Sequence, residues 1–82
     1  MFRGIAGDID SLNESGYYEV RIDQSTNIPP NAYTYGILEV FQSTMFTLQR
    51  YTPHSNNSGK YGEYNRVKTK GVWKNWRFIP YQ

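Results

Sequence analysis

The sequence predicts a mainly β fold: a small antiparallel meander of about five strands with one short helical turn near the N-terminus. Three observations lead there. Apolar and polar residues alternate with period two in several short runs, Gly, Pro and Asn punctuate those runs, and the chain is rich in rings rather than aliphatic side chains. Fourteen aromatics, eight of them tyrosines, fall within 82 residues. A chain of this size supports one core, which buries about 60–65% of the surface its unfolded form exposes, and large rings are efficient at filling so small an interior.

Asp8 is placed to cap a helical turn through IDSL, with Ile9 and Leu12 on one side, and Gly16 ends it. YYEVRID (17–23) alternates Tyr18, Val20 and Ile22 against Tyr17, Glu19 and Arg21, a first strand with one apolar face. QSTNIPPNAY (24–33) is a loop, because neither proline has an N–H to give to a ladder. YGILEVFQS (35–43) is apolar on both sides, with Leu38 and Val40 opposite Tyr35, Ile37 and Phe41; this predicts a central strand covered on both faces. Ser43-Thr44 predicts a tight hairpin turn into MFTLQRY (45–51), where Phe46 and Leu48 share one face and Thr47, Gln49 and Tyr51 the other. TPHSNNSGKYG (52–62) predicts a loop. EYNRVKTK (63–70) predicts a strand with Tyr64, Arg66 and Lys68 on one face, ended by Gly71, and WRFIPY (76–81) predicts a last strand closed by Pro80. The expected core is Leu12, Tyr18, Val20, Ile22, Leu38, Val40, Phe46, Leu48, Trp76 and Phe78.

The net charge of +2 hides an asymmetry. Residues 1–41 hold two arginines against six carboxylates, whereas residues 42–82 hold seven basic side chains against Glu63 alone. Such halves are either separate solvated faces or partners for oppositely charged surfaces.

The chemistry of a catalyst is missing. There is no cysteine, and the single histidine, His54, lies in a Pro/Ser/Asn loop, too few groups for a nucleophile–base pair or a zinc site. Asp8, Asp10 and Asn13 are candidates for a hard cation, but no twelve-residue calcium loop surrounds them. No phosphate-binding glycine motif occurs, so no enzyme activity, metal or cofactor is expected. Asn13-Glu14-Ser15 and Asn56-Asn57-Ser58 fit the glycosylation triplet, which arises often by chance. No apolar run reaches the ~20 residues that cross a bilayer, and MFRGIAGDID has no secretory h-region, so neither membrane insertion nor a signal peptide is expected.

Aromatics and amides on loops remain. Sugar recognition uses them, with a ring on the apolar face of a pyranose and amides or charged groups on its hydroxyls; peptide grooves and single-stranded nucleic acid use similar parts. In the basic, aromatic C-terminal stretch, Tyr64, Arg66, Trp73 and Lys74 are the candidate ligand face. The alternative for Arg66 is stacking on a neighbouring ring or meeting a carboxylate. Trp76 shares a strand face with Phe78 and is assigned to the interior, whereas Trp73 lies in a turn and is the candidate contact. A small SH3-like or OB-like barrel binding peptide or nucleic acid also fits the basic half, but nucleic acid is disfavoured because RNA-binding signatures are missing.

The landmarks run in a set order: Asp8, Leu12, Gly16, Tyr17-Tyr18-Glu19-Val20, Asn27 with Pro29, Gly36-Ile37-Leu38-Glu39-Val40, Gln49-Arg50-Tyr51, then Tyr64-x-Arg66-x-Lys68-x-x-Gly71-x-Trp73-x-x-Trp76. Over roughly residues 8–79 the chain resembles the pyocin-knob family, small domains of contractile-bacteriocin and bacteriophage tail fibres. The resemblance implies a β-rich, non-enzymatic knob on a usually homotrimeric fibre, carried on a virion or encoded by a prophage. It implies as partner a bacterial surface polysaccharide, lipopolysaccharide or teichoic acid. Related knobs also act as spacers or trimerisation elements without a ligand.

Overall fold

The structure, a computed structural model, describes residues 1–21, 23–55 and 62–81. Seven strands form one sheet: β1 (Phe2–Ile5), β2 (Gly16–Val20), β3 (Gly36–Gln42), β4 (Thr47–Pro53), β5 (Gly62–Thr69), β6 (Val72–Trp73) and β7 (Arg77–Pro80). The middle is the expected meander, β2–β3–β4–β5, antiparallel throughout. At one edge β1 lies parallel to β2, which the antiparallel meander did not include. At the other, β6 and β7 both pair with β5. Among the described residues no helix is long and apolar enough to cross a membrane.

Parallel neighbours need a crossover, and residues 6–15 supply it. The crossover carries the 3-10 turn Ile9–Ser11, capped by Asp8, whose carboxylate accepts from the Asp10 N–H at 3.1 Å. It drops Ala6 and Ile9 onto the inner face of the sheet, both fully buried, with Leu12 packed beside them. The long loop after β2 completes this cover. Its Thr26 bridges Asp8, the Ile9 N–H donates to the Thr26 carbonyl at 3.1 Å, and the Thr26 N–H donates to that of Gly7 at 3.0 Å. Ile28, Pro29 and Ala32 then reach the core. Asn27 and Asn31 stand at φ 65° and 64°, the left-handed region that asparagine tolerates better than most residues. Two irregular segments thus do what a helix or second sheet does in larger domains.

The inner face is Tyr18 and Val20 from β2, Leu38 and Val40 from β3, and Tyr51 from β4, all buried as the core. Tyr51 has no exposure; its hydroxyl donates to the Tyr33 carbonyl, and burial pushes its phenol well above the ordinary tyrosine range. Gly36 is required here, since a Cβ would stand 2.5 Å from the Thr52 carbonyl oxygen and 2.8 Å from the Tyr51 ring.

Four expectations need correction. In β4 the alternation is right but the faces are reversed: Thr47, Gln49 and Tyr51 point inward, Leu48 is half-buried, and Phe46 is 44% exposed beyond the strand end. The reason is polar. Gln49 Nε2 donates to the carbonyls of Ile9 at 2.8 Å and Leu12 at 3.0 Å, so a buried amide anchors the 3-10 turn where an apolar side chain would leave the Leu12 carbonyl without this donor. Next, β3 is central but covered on one face only, for Ile37 is 49% and Phe41 45% exposed. The β3–β4 connection takes four residues, 43–46, because Gln42 pairs with Thr47; Ser43 Oγ accepts from the Met45 and Phe46 N–H groups. Lastly, Phe78 is half-buried, its ring 5.1 Å from that of Tyr64. Trp76 and Leu12 are partly buried against the core, and Ile22 and Asn56-Asn57-Ser58 lie outside the described residues.

Candidate functional site

Regular strands send residues three apart to opposite faces, so Trp73 and Trp76 would be separated by the pleat. They are not, because the edge formed by β6 and β7 holds a bulge. Lys68 pairs with Trp73 and Asn65 with Arg77, leaving Arg66 and Val67 opposite three residues, 74–76. The Lys74 N–H still donates to the Val67 carbonyl at 2.8 Å. The extra residue restores parity, and both indoles meet Arg66: its Cζ is 4.1 Å from the ring centre of Trp73 and 4.4 Å from that of Trp76.

Arg66 is only 6% exposed and bonded on two sides. Its Nε donates to Gln49 Oε1 at 2.9 Å and its Nη2 to Asp10 Oδ1 at 2.8 Å. Burial pulls the guanidinium below its ordinary range, and the hydrogen bond and charge of Asp10 oppose that pull. Trp73 Nε1–H donates to the Asp10 carbonyl at 3.0 Å. Lys68 Nζ donates to Asn13 Oδ1 at 3.2 Å. Gln49, Arg66, Lys68 and Trp73 thus hold the 3-10 turn and its flanks, residues 9–13, against three strands. Arg66 realises its stacking alternative, with rings and a carboxylate of its own chain.

Of the four candidate ligand residues, then, three are engaged in the fold. Arg66 is buried, Trp73 is half-buried with its N–H taken, and Tyr64 packs on the core between Tyr51, at 6.4 Å, and Phe78. Lys74 alone is exposed, on the bulge. The proposed cation set diverges as well: Asp8 Oδ1 accepts from Asn27 at 2.7 Å, Asp10 from Arg66, and Asn13 from Lys68. Among the described residues no three His, Asp or Glu side chains gather at one point.

Among the openings lined by the described residues, two bear on binding, and neither was anticipated. A cleft of about 380 Å³ lies at the end of β2, β3 and β4, lined by Glu19, Val20, Tyr35, Gly36, Ile37, Thr52, Pro53 and His54. Its volume is that of a small-ligand site. The Tyr35 ring is 44% exposed, Tyr33 stacks on His54 at 6.3 Å, and the His54 N–H donates to the Tyr35 carbonyl at 2.7 Å, which draws the loop residues together. Arg21 pairs with Glu19 at this end, and that hydrogen bond raises the guanidinium above its ordinary value. In the sequence the cleft is marked only by Tyr33 and His54 in two predicted loops, with Tyr35 at the start of the strand between them. The second opening, of about 190 Å³, lies between the β3–β4 and β5–β6 turns. No protein-family model, curated protein or solved structure matches the chain.

Proposed function

We propose that the chain is a non-enzymatic knob of a bacteriophage tail fibre or related appendage, and that it binds sugars of the bacterial surface at the cleft beside Tyr35. The observation that carries the binding role is that cleft: a half-exposed ring and apolar floor of Ile37 and Pro53, with Glu19, Thr52 and His54 at hand for hydroxyls. A pyranose needs these two kinds of contact at one place. The resemblance supplies the setting, and the Arg66–Trp73–Trp76 cluster accounts for its closing pattern as fold-forming residues. Single contacts of this kind are weak; several knobs in one homotrimeric fibre bind through linkage. On an array of bacterial surface glycans, Tyr35→Ala is expected to weaken retention about tenfold, the worth of one ring contact, with circular dichroism unchanged. Equal retention by the folded variant refutes the site.

The open outer face of the sheet favours a second reading, a spacer or trimerisation element whose occupant is a second copy of this chain. Phe2, Tyr17, Ile37 and Phe41 are all about half-exposed there. A stable trimer in sedimentation, with no glycan retained, supports this reading over the first.

A further inference from the structure

The opening between the two turns has a different chemistry. It is lined by Asn13, Ser43, Thr44, Met45, Phe46, Thr47, Lys68, Lys70 and Gly71: two lysines, three hydroxyl residues, an amide and no carboxylate. Lys68 gives one N–H to Asn13 and lies 5.5 Å from the Trp73 ring centre, so its ammonium is held in place with donors to spare. Lys70 is exposed and, among the described residues, has no ion-pair partner.

The backbone of Lys70 adds an independent observation. Thr69 pairs with Val72, so Lys70-Gly71 is a two-residue hairpin loop, with φ at 51° and 80°. Positive φ at both positions is the I′ pattern, which favours Asn-Gly or Gly-Gly. Lysine is a poor choice for the first position, since only Gly, Asn and Asp enter the left-handed region readily. A charged side chain at a left-handed position, on the rim of a polar recess, is a backbone outlier that motivates a functional hypothesis.

We infer that this recess binds an oxyanion, a phosphate group held between Lys68 and Lys70 with Thr44 and Asn13 as hydrogen-bonding neighbours. The inference is separate from the sugar cleft, which lies at the opposite end of β3 and β4. Either inorganic phosphate or the phosphodiester of an anionic polymer presents the group.

The test is a two-dimensional amide NMR titration of the whole chain with sodium phosphate, against sodium chloride at matched ionic strength. Saturable shifts confined to Asn13 and residues 43–47 and 68–71 are expected, weakened about fivefold by Lys70→Asn and unchanged by Lys74→Ala. Lys70→Asn suits the turn, so loss of binding cannot be blamed on misfolding. A parallel titration with a glycerol-phosphate oligomer separates the sources: tighter binding per phosphate identifies the polymer, and equal binding the free ion. Shifts that follow ionic strength alone, spread evenly over Lys74 and Arg77, or saturate in Lys70→Asn at the parent's phosphate concentration overturn the inference.

Discussion

Tyr51 shows how much one side chain decides in a core this small. It is fully buried, its ring floors the approach of Gly36, and its hydroxyl satisfies the Tyr33 carbonyl in the covering loop. Removing the hydroxyl alone leaves that carbonyl unpaired, so Tyr51→Phe is expected to cost about 1–2 kcal/mol in urea unfolding. The same group gives the domain an alkaline limit. The folded phenol titrates above the ordinary value of about 10, so the unfolded chain releases its proton first. Stability from Tyr51 is therefore whole below that pH and is lost as pH rises through the folded value. In Tyr51→Phe the fall in stability above about pH 10 is expected to be shallower; an identical alkaline profile contradicts this assignment.

Among the elements, the bulge opposite Arg66 has the largest consequence for its size. One extra residue sets the parity of the C-terminal edge, and parity decides whether Trp76 faces Arg66 or water. Deleting Asn75 leaves the two indoles two positions apart, so a regular ladder then puts both on the Arg66 face. The expected result is a cooperative unfolding transition and a tryptophan emission like those of the parent; a broad transition with red-shifted emission contradicts the parity argument. In the β5–β6 turn, Lys70→Asn relieves left-handed backbone and is expected to stabilise by about 0.5–1 kcal/mol.

These elements also show what was legible in the chain. Strands β2, β3 and β5 could be read because their alternation runs for four residues or more, and the short turn could be read from Asp8 and Ile9. Strand β1 is four residues with a glycine at φ 105°, too little pattern to register, and its parallel pairing depends on a crossover. Period two reveals two faces but not which is wet. Along β4 and the residue before it, Phe46 and Leu48 outranked Thr47 and Gln49 by hydropathy, yet the inside was decided by the carbonyls of Ile9 and Leu12. The candidate site was misplaced for a related reason. Tyr64, Arg66 and Trp73 read as a basic aromatic face because Asp10 and Gln49, which engage Arg66, are 56 and 17 residues away.

The described residues form one sheet with one covered face, which leaves the other to be explained. A row of charge crosses that outer face: Arg50 meets Glu39 at 2.8 Å and Glu63 at 3.7 Å, and its guanidinium stands 5.7 Å from the Phe41 ring centre. Exposed pairs of this kind add little stability, but they break the apolar surface into patches around Ile37 and Phe41. If the patches join copies of this chain, Ile37→Lys is expected to shift sedimentation toward monomer while leaving unfolding of the monomer within about 0.5 kcal/mol of the parent. An unchanged sedimentation profile assigns the face to solvent.

The central claim is that Arg66, locked to Asp10 and framed by two indoles, fastens the crossover to the sheet. A double-mutant cycle with Arg66→Met and Asp10→Ala, followed by urea unfolding, tests it most directly. Arg66→Met is expected to cost about 2–4 kcal/mol, and the pair to couple by about 1–3 kcal/mol. Additive effects, or an Arg66 variant as stable as the parent, would contradict the account.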